Sequence, residues 1–227
     1  MRIIEELNDA GLKQAIDEID VAASSGNYKC VTIHNVVSTG AFSKTLDLKQ
    51  IARKFYGEYY SKKFAAVQIR IANPKTTALI FATGKIVCTG AKSEVSSRIA
   101  MFAYYRMLTR IDPTIRLLYH KIENIVSVGK LHCKLSIAQL SSAASNKTAY
   151  DPEIFPGLRL AIDSPVVKVL LFIRGKCVIT GAKTRSDISR AWCTALKVSK
   201  PFLVANTSTC QSHADIVQDY QIKKNSA

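Results

Sequence analysis

Four lysines stand at matching offsets in two stretches of the chain. Lys85 and Lys92 belong to LIFATGKIVCTGAKS (Leu79–Ser93), and Lys176 and Lys183 to LLFIRGKCVITGAKT (Leu170–Thr184), 91 residues further on. The stretches also share Leu79/Leu170, Phe81/Phe172, Val87/Val178 and Thr89/Thr180. The chemistry open to such residues is non-covalent. Ammonium groups at fixed spacing pair with anions, threonine hydroxyls donate hydrogen bonds, and phenylalanine offers a flat apolar ring. Bond-making chemistry has no support, since no catalytic triad can be assembled. The six cysteines (Cys30, Cys88, Cys133, Cys177, Cys193, Cys210) include no C-x-x-C pair, and no Cys/His cluster has zinc spacing. Buried thiols in a reducing compartment account for them. Neither metal nor cofactor is expected, and the chain is not read as an enzyme.

The whole chain of 227 residues is strongly basic, with a formal net charge of +15. The charge is unevenly placed: residues 1–27 hold six acids and two bases, a net of −4, so the other 200 carry +19. A basic body of this kind calls for a polyanion, nucleic acid first and a membrane surface second. No run of about 18 uncharged apolar residues occurs, so no membrane-spanning helix is expected. The start, Met1-Arg2-Ile3-Ile4-Glu5-Glu6, is too acidic for a secretory signal, and an intracellular chain is expected.

The elements that must carry these residues come in duplicate. Phe64–Lys92 aligns with Phe155–Lys183 without a gap, and 12 of the 29 positions are identical. Upstream, HNVVSTG (His34–Gly40) resembles ENIVSVG (Glu123–Gly129) at a shift of 89. This is two copies of a domain half related by a pseudo-twofold, not a solenoid repeat. In the first copy, Val31–Thr39 reads as a strand and Leu46–Tyr56 as a helix. Strands follow over Ala66–Ile71, Thr76–Phe81 and Ile86–Thr89, with turns at Asn73-Pro74 and Thr83-Gly84. Ser93 caps a helix reaching about Arg110, with Ile99, Phe102, Ala103 and Met107 expected on its core face. The second copy repeats the order: Ile122–Val128, a short helix near Ser136–Ala143, strands in 158–163, 167–172 and 177–180, and a helix from about Thr184 that includes Trp192.

Alternate strand residues point to opposite faces of a sheet. Thr77, Leu79 and Phe81 therefore share a face, as do Val87 and Thr89, while Ala78, Ile80, Ile86 and Cys88 take the other. Both faces carry large apolar residues, yet two helices per copy cover only one. The face with Leu79, Phe81, Val87 and Thr89 is left to a partner.

The runs FAAVQIRIANPKTTALIFATGKIVCTGAKSE and YDPEIFPGLRLAIDSPVVKVLLFIRGKCVITGAK closely resemble the core of the TATA-box-binding protein family. The resemblance covers roughly residues 28–200 and both repeats. It implies an α+β fold: a pseudo-twofold saddle with a curved antiparallel sheet below and two helices per repeat on the convex face. The chain then divides into an acidic segment (1–27), two repeats (28–112 and 113–200) and a divergent tail (201–227).

The resemblance also implies roles. Asn35 and Asn124, with Thr89 and Thr180, would donate to minor-groove acceptors, while Val37, Val126, Leu79, Leu170, Val87 and Val178 would line the groove floor. Phe64 with Phe81, and Phe155 with Phe172, would act as wedges that pry open base steps; the family is itself a standing example of such kinking. Arg70, Lys85, Lys92, Lys176 and Lys183 would meet phosphates; Arg174, a base absent from the family's usual pattern, and Lys63 are further candidates for that role. The family's second-repeat arginine is Ala161 here, and Arg159, on the same strand face, is the expected substitute.

Implied partners are double-stranded promoter DNA, transcription factors IIA and IIB and the family's associated factors, with no membrane partner; Asp151, Glu153 and Ile154 match the loop that meets factor IIB. The implied location is the nucleus, and a homodimer in the absence of DNA is left open. A TATA-binding-protein-related paralogue with altered promoter preference is the nearest alternative. A curved-sheet module for a lipid or small ligand would explain the open apolar face but not the ring of lysines. DNA glycosylases with a similar saddle need a helical catalytic domain for which this chain has no room. The acidic segment places Ile4, Leu7, Leu12, Ile16 and Ile19 at nearly helical spacing. It reads either as a loose tail or as an arm that competes with DNA.

Overall fold

β-Branched and aromatic residues at period two, interrupted by short turns, fix most of the strands. The computed structural model describes residues 31–60, 65–131, 134–144, 147–163 and 166–204. Lys63, Phe64, the acidic segment 1–27 with its candidate inhibitory arm, and the tail from 205 lie outside the described residues. The fold class is α+β. The chain packs as two units that divide at Val126/Ser127. The division falls inside a strand that runs unbroken from Leu117 to Lys130.

The first unit runs β1 (Val31–Phe42), α1 (Leu48–Phe55), β2 (Glu58–Tyr60), β3 (Ala66–Ala72), β4 (Lys75–Phe81), β5 (Lys85–Ala91) and α2 (Glu94–Thr109), then enters β6 (Leu117–Lys130). Its strand order is β2-β3-β4-β5-β1-β6. Helix starts follow their caps: Asp47 Oδ1 accepts from the Lys49 and Gln50 amides at 2.9 and 3.1 Å, and Ser93 Oγ accepts from the Ser96 amide at 3.0 Å. Val67, Ile69, Ala78, Ile80, Ile86 and Cys88 form one buried sheet face, covered by Leu48 and Ile51 of α1 and by Ala100, Met101, Tyr104 and Leu108 of α2.

The core face of α2 differs from the expected one. Ile99, Phe102, Ala103 and Met107 are only half-buried, and the fully packed row is Ser97, Ala100, Met101, Tyr104 and Leu108. Two polar side chains in that row hid it from a hydrophobic count, and both are satisfied inside. Ser97 Oγ donates to Ser38 Oγ at 2.8 Å, and the Tyr104 hydroxyl donates to the Thr76 carbonyl at 3.0 Å.

The second unit takes up the rest of β6, then β7 (Lys134–Leu135), α3 (Ile137–Ala143), β8 (Thr148–Ala149), β9 (Leu158–Asp163), β10 (Val166–Leu171), β11 (Lys176–Ala182), α4 (Arg185–Ser199), a 3-10 turn (Lys200–Phe202) and β12 (Leu203–Val204). The order is β6-β11-β10-β9-β8, with β12 paired to β7. Leu158, Leu160, Ile162, Val167, Val169, Leu171, Cys177 and Ile179 are buried, as are Ile188, Ala191, Trp192 and Ala195 of α4. The α4 start is a reciprocal capping box between Thr184 and Asp187. Burying one such Leu or Ile side chain stabilises by about 1.5–3 kcal/mol. A surface ion pair gives at most about 1 kcal/mol. The one-sided cores, not the many charges, therefore hold each unit together.

The glycine ending both HNVVSTG and ENIVSVG has a packing cause. A Cβ on Gly40 would lie 2.8 Å from the Tyr119 carbonyl oxygen, and one on Gly129 only 2.5 Å from Cζ3 of Trp192. The neighbouring strand β6 leaves no room for a side chain at Gly40, and the Trp192 ring of α4 leaves none at Gly129. Gly129→Ala is expected to lower stability by about 1–3 kcal/mol through overpacking. Denaturant unfolding checks this, and Trp192→Phe in the same chain, which withdraws the ring atoms the new methyl meets, recovers part of the loss.

Candidate nucleic-acid interface

Register turns the alternation into rungs. In the first unit Gln68 pairs with Leu79, Leu79 with Val87, and Val87 with Thr39. The next rung joins Arg70, Thr77 and Thr89. In the second unit the rungs are Arg159–Leu170–Val178 and Ala161–Lys168–Thr180. Leu79, Phe81, Val87 and Thr89, and likewise Leu170, Phe172, Val178 and Thr180, are part-exposed, and each alternates with a buried residue of the helix-covered face. Val37 on β1 and Asn124 and Val126 on β6 follow the same alternation. The face left uncovered by helices is thus the one carrying the expected groove-floor residues.

Asn35 is held by an irregularity. The β1/β5 register shifts between Val36 and Ser38. Beside it, Asn35 Oδ1 accepts the Gly90 amide at 2.8 Å, and Nδ2 lies 3.2 Å from Thr89 Oγ1. The backbone donor fixes which end of the amide faces inward. Nδ2 carries two hydrogens, so one remains to donate outward from the open face.

The phenylalanines of the second unit meet edge to face. Phe155 and Phe172 have ring centroids 5.8 Å apart at 66°. A Cβ on the intervening Gly157 would sit 2.7 Å from Phe155 Cε1 and 3.0 Å from Phe172 Cε1, so only glycine lets the rings close on the chain. The Arg159 guanidinium stands 5.6 Å from the Phe155 ring centroid, a cation–π geometry. Phe81 is part-exposed at the end of β4.

Cations border these rows. Lys85, Arg174, Lys176 and Lys183 are exposed. Lys92 Nζ donates to the His34 carbonyl at 2.8 Å. Arg70 is engaged: its Nη1 lies 2.6 Å from Glu58 Oε1, with both side chains more than half exposed. That hydrogen bond, more than the Tyr60 hydroxyl's, holds the Glu58 carboxyl below its usual range. The acidic loop is set by Asp151, whose Oδ1 accepts the Glu153 amide at 3.1 Å and whose carbonyl accepts the Phe155 amide at 2.9 Å. Ile154 is 77% exposed there.

Three open-face residues escaped the sequence reading: Thr39, Gln68 and Lys168. Alternation alone puts Thr39 in phase with Val37 and Lys168 in phase with Leu170, while the strand register shows which residues they face. Elsewhere the chemistry is quiet. Burial pushes the Cys88 thiol up to about 11 and Cys177 up to about 12, so both stay protonated at neutral pH. Among the described residues no group of three or more His, Cys, Asp or Glu is placed to hold a metal, and no helix is long and apolar enough to cross a membrane.

Comparison with known proteins adds an independent finding. The family described as "Transcription factor TFIID (or TATA-binding protein, TBP)" matches the chain twice, over residues 30–111 and 119–200. The TATA-box-binding protein of Dictyostelium discoideum is 44% identical over 179 residues, covering 78% of this chain and 87% of that one. TATA box-binding protein-like 2 of Rattus norvegicus is 43% identical over 161 residues, covering 70% of this chain and 47% of that one. The solved structure of Methanococcus jannaschii TBP matches with a TM-score of 0.66 at 34% identity, covering 75% of this chain and 98% of that one.

Glu58 competes with any other anion for the Arg70 guanidinium. Glu58→Gln is therefore expected to strengthen binding to a duplex at neutral pH and low salt. Because the folded carboxyl titrates below the ordinary carboxylate range, the wild-type chain keeps the competing charge until the pH drops beneath that range. The advantage of the variant should then vanish. Fluorescence anisotropy across a pH series checks both parts.

Proposed function

The chain belongs to the TATA-binding protein family, and we propose that it is a general transcription initiation factor. It binds the minor groove of A·T-rich, TATA-like promoter DNA, kinks it with phenylalanine wedges and nucleates assembly of the preinitiation complex. The observation that carries this reading is the repeated open face: one uncovered apolar row per unit, in equivalent registers, with amide and hydroxyl donors within it and lysines around it.

In the minor groove, A·T and T·A present only acceptors, whereas G·C adds the guanine amino donor. Nδ2 of Asn35, its repeat counterpart Asn124, and the hydroxyls of Thr89 and Thr180 suit the acceptors. Val37, Leu79, Val87, Val126, Leu170 and Val178 would lie against the floor, where a guanine amino group would be both crowded and left without a partner. Phe155 with Phe172, and Phe81 with Phe64, suit insertion at base steps. Unstacking costs a few kcal/mol per step and is offset by the wider contact of bent DNA, as known for this family.

Lys63, Arg70, Lys85, Lys92, Arg159, Arg174, Lys176 and Lys183 are assigned to phosphates, which position the protein without reading sequence. The exposed Ile154, beside Asp151 and Glu153, suits docking of factor IIB; factor IIA and the associated factors follow from family membership, as does a nuclear location. One observation favours a second reading, a paralogue with shifted promoter preference: Ala161 stands where the first repeat has Arg70.

Fluorescence binding and bending on a TATA duplex, set against a G·C-substituted one, tests the proposal. Strong preference for TATA with a sharp bend is expected, and equal affinity refutes it. Phe81→Ala with Phe172→Ala should abolish most of the bend while leaving the salt-dependent encounter rate nearly unchanged, because that rate depends on the lysines.

A further inference from the structure

The two units place their cations differently on the equivalent rung. In the first, Arg70 of β3 faces Thr77 of β4. In the second, 91 residues on, Ala161 of β9 faces Lys168 of β10. The positive charge has moved to the neighbouring strand without leaving the rung. Residues directly opposite on an antiparallel pair have Cβ atoms only about 5 Å apart, within the sweep of a lysine side chain. Lys168 alternates with buried Val167 and Val169, so it shares the open face with Leu170, and its other cross-strand neighbour is Thr180.

The ionic surroundings differ as well. Arg70 is tied to Glu58, whose counterpart 91 residues on is Ala149. Ala149 pairs with Arg159 as Glu58 pairs with Gln68, so no acid borders the Lys168 rung from β8. Asp163, on the same face of β9, lies opposite Val166 beyond that rung. Arg159 is one rung nearer the phenylalanines and engaged with Phe155. Lys147, whose carbonyl accepts the Ala161 amide at 2.9 Å, brings an exposed lysine beside Ala161 from the β8 side, but Lys168 is the cation directly opposite Ala161 on β10, and among the described residues it stands in no ion pair. A compact ammonium suits a phosphate oxygen as a point charge and lacks the fork needed for bidentate recognition of a base edge.

We propose that Lys168 is a DNA-phosphate contact of the second unit, filling the role that Arg70 has in the first. This rests on the minor-groove reading above. The test uses the full chain and a fluorescent TATA duplex, with log K followed against log salt concentration. Lys168→Ala should make the slope less negative by about 0.9, one phosphate's worth, while leaving the preference for TATA over G·C intact. Lys168→Arg should keep the wild-type slope, and Ala161→Arg combined with Lys168→Ala should restore it. An unchanged slope in Lys168→Ala overturns the proposal. So does a loss of TATA preference at constant slope, which would make Lys168 a base contact, or a weakening that Ala161→Arg fails to rescue. If the wild-type chain shows no preference for TATA, the minor-groove reading falls instead, and the slope of Lys168→Ala still decides whether this residue meets a phosphate.

Discussion

A β-strand shows every second residue to each side of its sheet, and that period of two governs what the rest of the structure can do. In both units the helices lie over one side, where Ile80, Ile86 and Cys88, or Val169, Cys177 and Ile179, are sealed from water. The other side keeps a continuous apolar row that the chain does not fully cover. Such a row is stable in water only because the opposite face supplies most of the folding energy. The open face is thereby free to be selected for a ligand, and its residues can differ from core residues in having donors, Asn35 and Thr89, set among valines and leucines.

The same constraint explains why small changes on the open face matter. A rung is a fixed set of neighbours, so replacing Arg70 by its counterpart Ala161 does not merely delete a charge. It leaves a place that the residue across the strand pair can fill, and Lys168 stands there. The first unit holds its arginine with Glu58, whereas the second offers its lysine without such a tether. The two units therefore differ in the cation that the equivalent rung carries and in whether an acid is paired with it.

Much of this was legible in the sequence because it is local. The repeated Thr-Gly-Ala-Lys, the period-two runs and the cap at Ser93 set strands, turns and helix starts within a few residues of where they lie. The core face of α2 was not legible, because Ser97 and Tyr104 carry polar atoms into the interior and satisfy them on partners far away in sequence. Nor was the anchoring of Asn35 on the Gly90 amide, which lies beside a register shift where β5 carries one extra residue, at the positive-φ Gly90, against β1. The Arg70–Glu58 pair and the rung shared by Ala161 and Lys168 were hidden for the same reason: pairing between strands is a tertiary fact. Arg159 was placed by strand-face parity, whereas the position of Lys168 directly across from Ala161 is visible only from the strand register.

The central claim is that the open face reads the floor of the minor groove. A duplex in which inosine·cytosine replaces every A·T pair of the TATA element tests it most directly. Inosine lacks the guanine amino group, so its pair with cytosine keeps the acceptor-only minor groove of A·T while presenting the major groove of G·C. Binding as tight as to the TATA duplex is the predicted result. Affinity as weak as that for the G·C-substituted duplex would contradict the account.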